Sequence, residues 1–155
     1  MKELLAYDPA TGSFHWRVNL RGPVKAGDVA GVSNPRGYRV IHISGKNYLA
    51  HRLAFLYMTG SFPPNMADHI NGDPSDNRWS NLRPATGSQN NANARARSGS
   101  RLGVKGVYKR GSRYVSQICH NGDHKYLGTF DTISDAKAAY DKAANYAFGV
   151  FARSA

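Results

Sequence analysis

The residues of this chain that are best suited to chemistry lie between Asp68 and Asn90. An acid–base pair, Asp68-His69, follows a short apolar approach and precedes a long polar loop with the turn signal Asn71-Gly72. The segment then predicts a short strand and a helix with Ser88 as its cap and Asn90 in its first turn. A strand, a loop, a second strand and a helix in this order bring Asp68, His69 and Asn90 to one end of the unit.

These three side chains have complementary chemical properties. A carboxylate oxygen and an amide oxygen are hard ligands of the kind that suits Mg²⁺ or Mn²⁺. A neutral imidazole, with a reference pKa of about 6.5, accepts a proton from water at physiological pH. If they converge, one divalent ion polarises a scissile phosphate while His69 activates the nucleophile. The alternative is a hydrogen-bonded strand histidine among loop-forming asparagines, and residue types and spacing leave both interpretations open.

The composition indicates a polyanionic partner. The chain has 155 residues and a net charge of +11, from 21 basic and 10 acidic residues. Such an excess favours polyanions through counterion release. A ribosomal protein or a merely soluble basic protein carries similar charge, so the distribution is more informative. The segment from Gly87 to Phe130 contains one acid, Asp123, among many basic residues, which favours a nucleic acid.

Other classes of protein are not predicted. No apolar window approaches the length of a membrane span, and the first residues lack the basic and apolar regions of a signal peptide. The single cysteine, Cys119, excludes an internal disulfide and a cysteine-rich zinc site. We expect a protein of a reducing, cytoplasmic setting.

Short elements must position the chemical residues. Residues 1–50 predict strands and turns, including a turn over residues 7–13 and a hairpin over residues 38–49. Residues 51–59 predict an amphipathic helix that ends at Gly60. At its start, His51 is interpreted as a structural histidine and Arg52 as a candidate phosphate contact.

The C-terminal part predicts a separate sheet and helix. Strands are predicted over residues 107–110, 114–119 and 125–127, followed by an alanine-rich helix that ends at Gly149. With the helix on one face of the sheet, the other face carries basic and aromatic side chains: Tyr108, Arg110, Gln117 and Tyr126. A three-stranded sheet of this kind can enter the DNA major groove.

The motif order around Asp68-His69 resembles the HNH endonucleases of phage and mobile introns, a branch of the ββα-metal nucleases. The resemblance covers about residues 50–95 and rests on His51-Arg52-Leu53, Asp68-His69-Ile70-Asn71-Gly72-Asp73, Asp76-Asn77-Arg78, Asn81-Leu82-Arg83 and Gln89-Asn90. It implies that His69 is the general base, that Asp68 and Asn90 bind the metal, and that Asn81 fixes the hairpin loop. An asparagine at position 90, where the colicin-like branch has histidine, favours one Mg²⁺ or Mn²⁺ ion over Zn²⁺.

The C-terminal segment resembles the ethylene-response-factor (APETALA-type) DNA-binding domain. The resemblance rests on Gly106-Val107, Leu127-Gly128-Thr129-Phe130-Asp131-Thr132, Ala136 and Ala139-Tyr140-Asp141-Lys142-Ala143-Ala144. It implies that Tyr108 and Arg110 occupy positions of groove-reading arginines. Tyr126 replaces a tryptophan of that family, and His124 and Cys119 replace two arginines, which leaves base-level specificity open.

The candidate DNA contacts share a basic, aromatic or amide side chain. They are Arg52, Arg83, Arg95, Arg97, Arg101, Lys105, Tyr108, Lys109, Arg110, Arg113, Gln117, Lys125 and Tyr126. For the basic residues that follow Asn90, a solvated helix face is an equal alternative to a phosphate contact.

The sequence thus predicts an α+β protein with two modules. A nuclease domain spans residues 1–97, with a strand-rich leader (1–50) and an HNH core (51–95). A linker (98–103) leads to a DNA-binding domain (104–155). The predicted activity is homing-type, Mg²⁺-dependent nicking of double-stranded DNA by a monomer or weak dimer, without a small-molecule cofactor, in a bacterial or phage-infected cell. The alternatives are a non-catalytic, sequence-specific DNA-binding regulator on a degenerate nuclease scaffold, and an RNA-binding protein.

Overall fold

The computed structural model describes residues 1–96 and 99–153. It combines short paired strands with α-helices, which confirms the predicted α+β class. The described chain divides into two compact units, Met1–Pro84 and Ala85–Ala155. Within the described residues, no helix has the length and apolar character needed to cross a membrane.

Short strands are the most numerous elements of the first unit. In chain order they are β1 (Leu5–Tyr7), β2 (Phe14–Trp16), β3 (Val32–Ser33), β4 (Arg39–Ile43), β5 (Lys46–Leu49), β6 (Met66–His69) and β7 (Leu82–Ala85). β1 pairs with β2, β3 to β5 form a sheet in chain order, and β6 pairs with β7. The last strand reaches the boundary between the two units.

Two predicted turns are confirmed in this unit. The chain between β1 and β2 turns back at Gly12, whose N–H donates to the carbonyl oxygen of Asp8 at 2.8 Å. Between β4 and β5, Ser44 and Gly45 have φ values of 48° and 78°. Two successive positive φ angles suit the twist of an antiparallel hairpin.

Helix α1 (Ala50–Thr59) packs into the core of the first unit. It ends at Gly60, whose φ of 81° and hydrogen bond to the carbonyl oxygen of Leu56 close the last turn. The predicted helix and its end are therefore confirmed. Its buried Leu53 and Phe55 lie in one cluster with Leu5, Tyr7, Phe14, Trp16, Ile41 and Leu82.

The second unit joins a short helix to a sheet-and-helix module. Its elements are α2 (Gly87–Asn93), β8 (Val107–Arg110), β9 (Arg113–His120), β10 (Asp123–Phe130) and α3 (Ile133–Phe148). The strands form an antiparallel sheet in the order β8–β9–β10. Ile118 of β9 lies in one buried cluster with Tyr140, Ala144 and Phe148 of α3. The predicted strands and helix are present, and β9 and β10 extend beyond their predicted ends.

The boundary between the compact units lies before α2, whereas the predicted linker begins after it, at residue 98. The compact units group residues that pack together, and on this basis α2 belongs to the same unit as the C-terminal sheet. The domain bounds 1–97 and 104–155 come from motifs and stay a prediction about functional modules. Residue 98 of the linker lies outside the described part of the chain.

Candidate active site

The predicted acid–base pair lies at the end of β6. Asp68 and His69 are the last two residues of that strand, and each is 5% exposed. Buried ionisable groups need partners, because an unpaired charge or an unpaired polar group in the interior is destabilising. The partners of these two residues define the site.

A hydrogen bond with a defined direction holds His69. Its Nε2 lies 3.2 Å from Oδ1 of Asn77. The amide nitrogen of Asn77 donates to the carbonyl oxygen of Ser75 at 3.1 Å, which turns the amide oxygen towards the imidazole. Since an amide oxygen only accepts hydrogen bonds, Nε2 carries the proton and the lone pair of the neutral ring lies on Nδ1. Nδ1 is therefore the basic atom of His69.

The N-terminal strands fix Asn77, which is 2% exposed. The hydroxyl of Tyr7 donates to the carbonyl oxygen of Asn77 at 2.7 Å, and burial raises the pKa of that hydroxyl, so that it stays protonated. Gly12 lies so close that a Cβ there would come within 2.3 Å of the Asn77 carbonyl carbon. Contacts from the leader therefore fix Asn77, and Asn77 in turn fixes His69 through its hydrogen bond.

Two aromatic neighbours contact the ring of His69. The ring of His51 lies edge-on to it, with 4.8 Å between centroids, and the ring of Tyr38 is 6.0 Å from it. Burial, together with the nearby His69 and Arg52, lowers the pKa of His51 to about 3. His51 is therefore neutral at pH 7 and contributes packing rather than charge.

His69 itself is also neutral at pH 7. Burial lowers its pKa below the ordinary value of 6.5, and the hydrogen bond to Asn77 and the carboxylate of Asp68 oppose part of that shift. A neutral imidazole with a defined tautomer is suited to accept a proton from a water molecule.

Asp68 forms a largely buried ion pair. Nε of Arg83 donates to Oδ2 of Asp68 at 2.8 Å, and both side chains are mostly shielded from solvent. The pair fixes the orientation of the carboxylate. A carboxylate offers about four acceptor positions, so pairing with Arg83 is compatible with binding a hard cation. Arg83, a candidate DNA contact, thus lies beside the candidate metal ligand.

Hydrogen bonds from the Asn81 side chain connect Asn71 and Asp76 in the loop that follows β6. Its Oδ1 accepts from the backbone N–H of Asn71 at 3.0 Å, and its Nδ2 donates to Oδ1 of Asn71 at 3.0 Å and to the carbonyl oxygen of Asp76 at 2.8 Å. Arg78 pairs with Asp76 at 2.6 Å, and this contact lowers the pKa of Asp76 to about 2. The loop that carries Asn77 is therefore cross-linked by side chains.

Asn90 is a half-buried residue of α2. The helix begins with a capping box, in which Thr86 Oγ1 accepts from the N–H of Gln89 and Gln89 Oε1 accepts from the N–H of Thr86. Ser88, expected as the cap, lies inside the helix, and its Oγ accepts from the N–H of Asn121 at 3.2 Å. That expectation was wrong because Thr86 and Gln89 satisfy the first amides reciprocally. The shared metal ion of Asp68 and Asn90 stays a prediction.

The predicted ligands, Asp68 and Asn90, carry oxygen donors of the type that binds a hard divalent ion. Among residues 1–96 and 99–153, no three side chains of His, Cys, Asp or Glu come together as a metal-binding group. The predicted set has a different composition, one carboxylate from Asp68 and one amide from Asn90. Two oxygen donors with further positions for water and phosphate suit Mg²⁺ or Mn²⁺, which keep several waters in protein sites.

Some candidate DNA contacts are engaged within the protein. Arg52 donates to the carbonyl oxygen of Asn65 at 3.2 Å. Arg113 pairs with Asp131 at 2.7 Å. Lys105 donates to the carbonyl oxygens of Asn91 and Ala92 in the last turn of α2. Arg97 lies outside the described residues. Seven others have exposed side chains: Arg95, Arg101, Tyr108, Lys109, Arg110, Lys125 and Tyr126.

The strand register places several of these on one face of the C-terminal sheet. Tyr126 lies opposite Gln117, and Arg110 lies opposite Arg113. Because side chains alternate along a strand, Tyr108, Arg110 and Gln117 share this face, while Ile118 points to the face that packs on α3. Tyr108 and Tyr126 are 44% and 64% exposed. The face therefore combines positive charge with exposed rings.

Comparison with known proteins defines the class of the site. Residues 48–92 match the family model of the HNH endonucleases, and this segment contains Asp68, His69, Asn77, Asn81 and Asn90. The chain therefore contains an HNH endonuclease domain in this segment.

A relative is known among viral proteins. The chain is 31% identical over 117 residues to an uncharacterized HNH endonuclease, L560, of Acanthamoeba polyphaga mimivirus. The similarity covers 75% of this chain and 61% of the relative's length. The resemblance to HNH endonucleases is thus supported for residues 48–92 by the family match, and more weakly by this relative.

Sequence reasoning missed Asn77, Tyr7 and Gly12 as parts of the site. Asn77 belongs to the quoted motif, but the sequence analysis predicts no separate role for it. Its position eight residues after His69, in a loop closed by Asn81, was the available signal. The role of Tyr7 depends on long-range packing between the leader and the loop, which no local pattern shows.

Proposed function

We propose that this chain is a metal-dependent HNH endonuclease that hydrolyses a phosphodiester bond of DNA. The observation that carries the proposal is the hydrogen bond from His69 Nε2 to Asn77 Oδ1, which leaves the lone pair of a neutral imidazole on Nδ1. The family match of residues 48–92 supports nuclease chemistry.

Each side chain has a defined task in this reaction. Asp68 and Asn90 would hold one divalent ion, Mg²⁺ or Mn²⁺. Such an ion polarises the scissile phosphate and stabilises the leaving oxygen. His69 Nδ1 takes the proton from the attacking water. The charge that then forms on the imidazole is stabilised by Asn77, whose amide oxygen accepts from Nε2. Arg83 keeps the Asp68 carboxylate in one orientation.

The C-terminal sheet is the proposed targeting surface, in the manner of an ethylene-response-factor domain. Its order β8–β9–β10, packed on one helix, and its exposed face with Tyr108, Arg110 and Tyr126 support that role. A basic, aromatic sheet face of this size suits the major groove of duplex DNA. We place the protein in the cytoplasm of a bacterial or phage-infected cell, acting as a homing-type enzyme.

One active site per chain cuts one strand per engagement, so a monomer should nick. The test is conversion of supercoiled plasmid to open circle in the presence of Mg²⁺, with Asp68→Asn and a chelator as comparisons. We expect nicking by the wild type, none with the chelator, and a loss on the order of 100-fold in the variant. Nicking that persists with the chelator contradicts the proposal.

The same assay separates the alternatives. Tight binding of duplex DNA with no nicking of any phage-derived or plasmid substrate would indicate a regulator on a nuclease scaffold. Competition between duplex DNA and structured RNA distinguishes an RNA-binding protein, for which the RNA would be the better competitor.

A further inference from the structure

We propose that Lys105 is a positioning residue for α2, and that the C-terminal sheet module anchors the helix that presents Asn90 to the metal. The inference rests on the proposed function, because it concerns Asn90 as a metal ligand. It assigns to Lys105 a task other than the DNA contact predicted from its charge.

Helix α2 needs external partners at its C-terminal end. It has seven residues, and helices of this length are marginal in isolation. Its first amides are satisfied by the capping box, and the N–H of Ala94 bonds to the carbonyl oxygen of Asn90 at 3.1 Å. The next carbonyl groups, of Asn91 and Ala92, lie beyond the last intrahelical bond and require donors from elsewhere.

Lys105 supplies those donors. Its Nζ lies 3.0 Å from the carbonyl oxygen of Asn91 and 2.5 Å from that of Ala92. The N–H of Arg153 adds a longer bond of 3.4 Å to Ala92. An ammonium group at this end also complements the negative pole of the helix. Burial, and next the charge of Arg153, lower the pKa of Lys105, as expected for an amine withdrawn from solvent to a protein partner.

Two further contacts hold α2 on the module. The side chain of Ala92 is buried in one cluster with Ile118, Tyr140 and Phe148. On an earlier turn, Ser88 Oγ accepts from the N–H of Asn121, in the turn between β9 and β10. Asn90 lies between these anchor points. Loss of the Lys105 bonds would loosen the turn that carries Asn90 and spread its amide oxygen over a wider range of positions.

The expected consequence is weaker metal binding. If the Asn90 side chain becomes ordered only when the ion binds, the free-energy cost of ordering it reduces the affinity of the site for the ion. Once the ion is bound, the same donor atoms are in place, so the maximal rate at saturating metal should change little. A residue that contacted only DNA would show the opposite pattern, with lower DNA affinity and unchanged metal affinity.

The test compares Lys105→Met with Lys142→Met in the whole 155-residue chain. Lys142 is exposed on α3, so its replacement removes the same charge from the same unit at a solvent-facing position of another helix. Amide hydrogen exchange is measured for α2 without metal. Mn²⁺ is then titrated, and paramagnetic broadening of the Asn90 side-chain amide signal reports its binding. We expect about tenfold faster exchange and about tenfold weaker Mn²⁺ binding in Lys105→Met only, since hydrogen bonds to charged groups have that strength.

Other outcomes overturn the inference. Unchanged α2 exchange in Lys105→Met would show that the helix does not depend on Lys105. Absence of Mn²⁺ broadening at Asn90 in the wild type would remove Asn90 as a ligand. Lys105→Arg, which keeps a donor and the charge, should recover most of the protection, and failure to do so would contradict the hydrogen-bond account. None of these readouts requires cleavage, so an inactive wild type would refute the proposed function separately.

Discussion

In the proposed reaction, the hydrogen bond between His69 and Asn77 determines which nitrogen of the imidazole would act as the base. A neutral histidine has two tautomers, and an acceptor facing Nε2 selects the one with its lone pair on Nδ1. Asn77 would therefore influence the proposed proton transfer without taking part in it. Its role resembles that of a residue behind a metal ligand, which orients a group and sets its protonation.

Replacement of Asn77 tests this role. Asn77→Leu removes the acceptor, so we expect a mixture of His69 tautomers and a fall in nicking of up to about 100-fold, part of the general-base contribution. The ¹⁵N chemical shifts of the two ring nitrogens report the tautomer directly. Asn77→Asp keeps an acceptor oxygen and should keep the Nε2–H tautomer. A leucine variant with the wild-type tautomer would contradict the account.

The buried His51 predicts acid sensitivity of the fold. Its pKa is about 3 in the folded protein and about 6.5 when unfolded, so below pH 6.5 the unfolded state binds the extra proton and stability falls with decreasing pH. The loss is about 1.4 kcal/mol for each pH unit in that window. Urea unfolding at pH 7 and pH 5 should show a smaller difference for His51→Phe than for the wild type. Equal differences would show that His51 is not buried as a neutral ring.

At the residue scale, the sequence predicts which side chains are close when the residues are neighbours in the chain. Asp68 and His69 are neighbours in one strand, so their proximity follows from the chain itself. The partners Asn77 and Arg83 depend on the path of a loop and on the pairing of β6 with β7. Arg83 was assigned to DNA because its charge is visible in the sequence and its carboxylate partner is not.

Among the elements, the turn between β1 and β2 has the most direct connection to the site. Gly12 has a φ of 77° and lies against the backbone of Asn77, so this turn and the active-site loop are in direct contact. The leader is therefore part of the support for His69, although it contains no residue of the motif.

Gly12→Ala should damage both stability and nicking. A Cβ would meet the Asn77 backbone at 2.3 Å, and we expect a loss of about 1–3 kcal/mol together with reduced activity of the remaining folded protein. Gly22→Ala is the matched control, because Gly22 also has a positive φ, 101°, but its added Cβ meets no atom within 4 Å among the described residues. Equal effects of the two substitutions on nicking per folded molecule would exclude a specific role for the Gly12 contact.

Element boundaries show where local rules suffice. The Gly60 stop of α1 and the Ser44-Gly45 hairpin follow from residues that accept positive φ. The start of α2 also follows from a local rule, because Thr86-Gly87-Ser88-Gln89 has the spacing of a capping box. The prediction of Ser88 as the cap overlooked this spacing. The full lengths of β9 and β10 depend on their pairing with each other, which extends each strand past its apolar segment.

For the whole molecule, the sequence shows the excess of positive charge. It does not show which basic side chains face solvent and which bond to other parts of the protein. The net charge of +11 predicts a polyanion, and the exposed face with Arg110 agrees with that partner. Lys105 and Arg113 carry the same charge and are engaged by α2 and by Asp131. The packing of α2 with the C-terminal sheet could not be predicted either, because it depends on the burial of Ala92 and on a lysine thirteen residues away.

The central claim is that His69 is the base of a DNA-cleaving site. The most direct measurement compares plasmid nicking and metal-free DNA affinity for the wild type, His69→Ala and His42→Ala, an exposed histidine of β4. We expect His69→Ala to lose at least about 100-fold in nicking, with DNA affinity unchanged, partial recovery with added imidazole, and wild-type behaviour of His42→Ala. Nicking by His69→Ala at the wild-type rate would contradict the account.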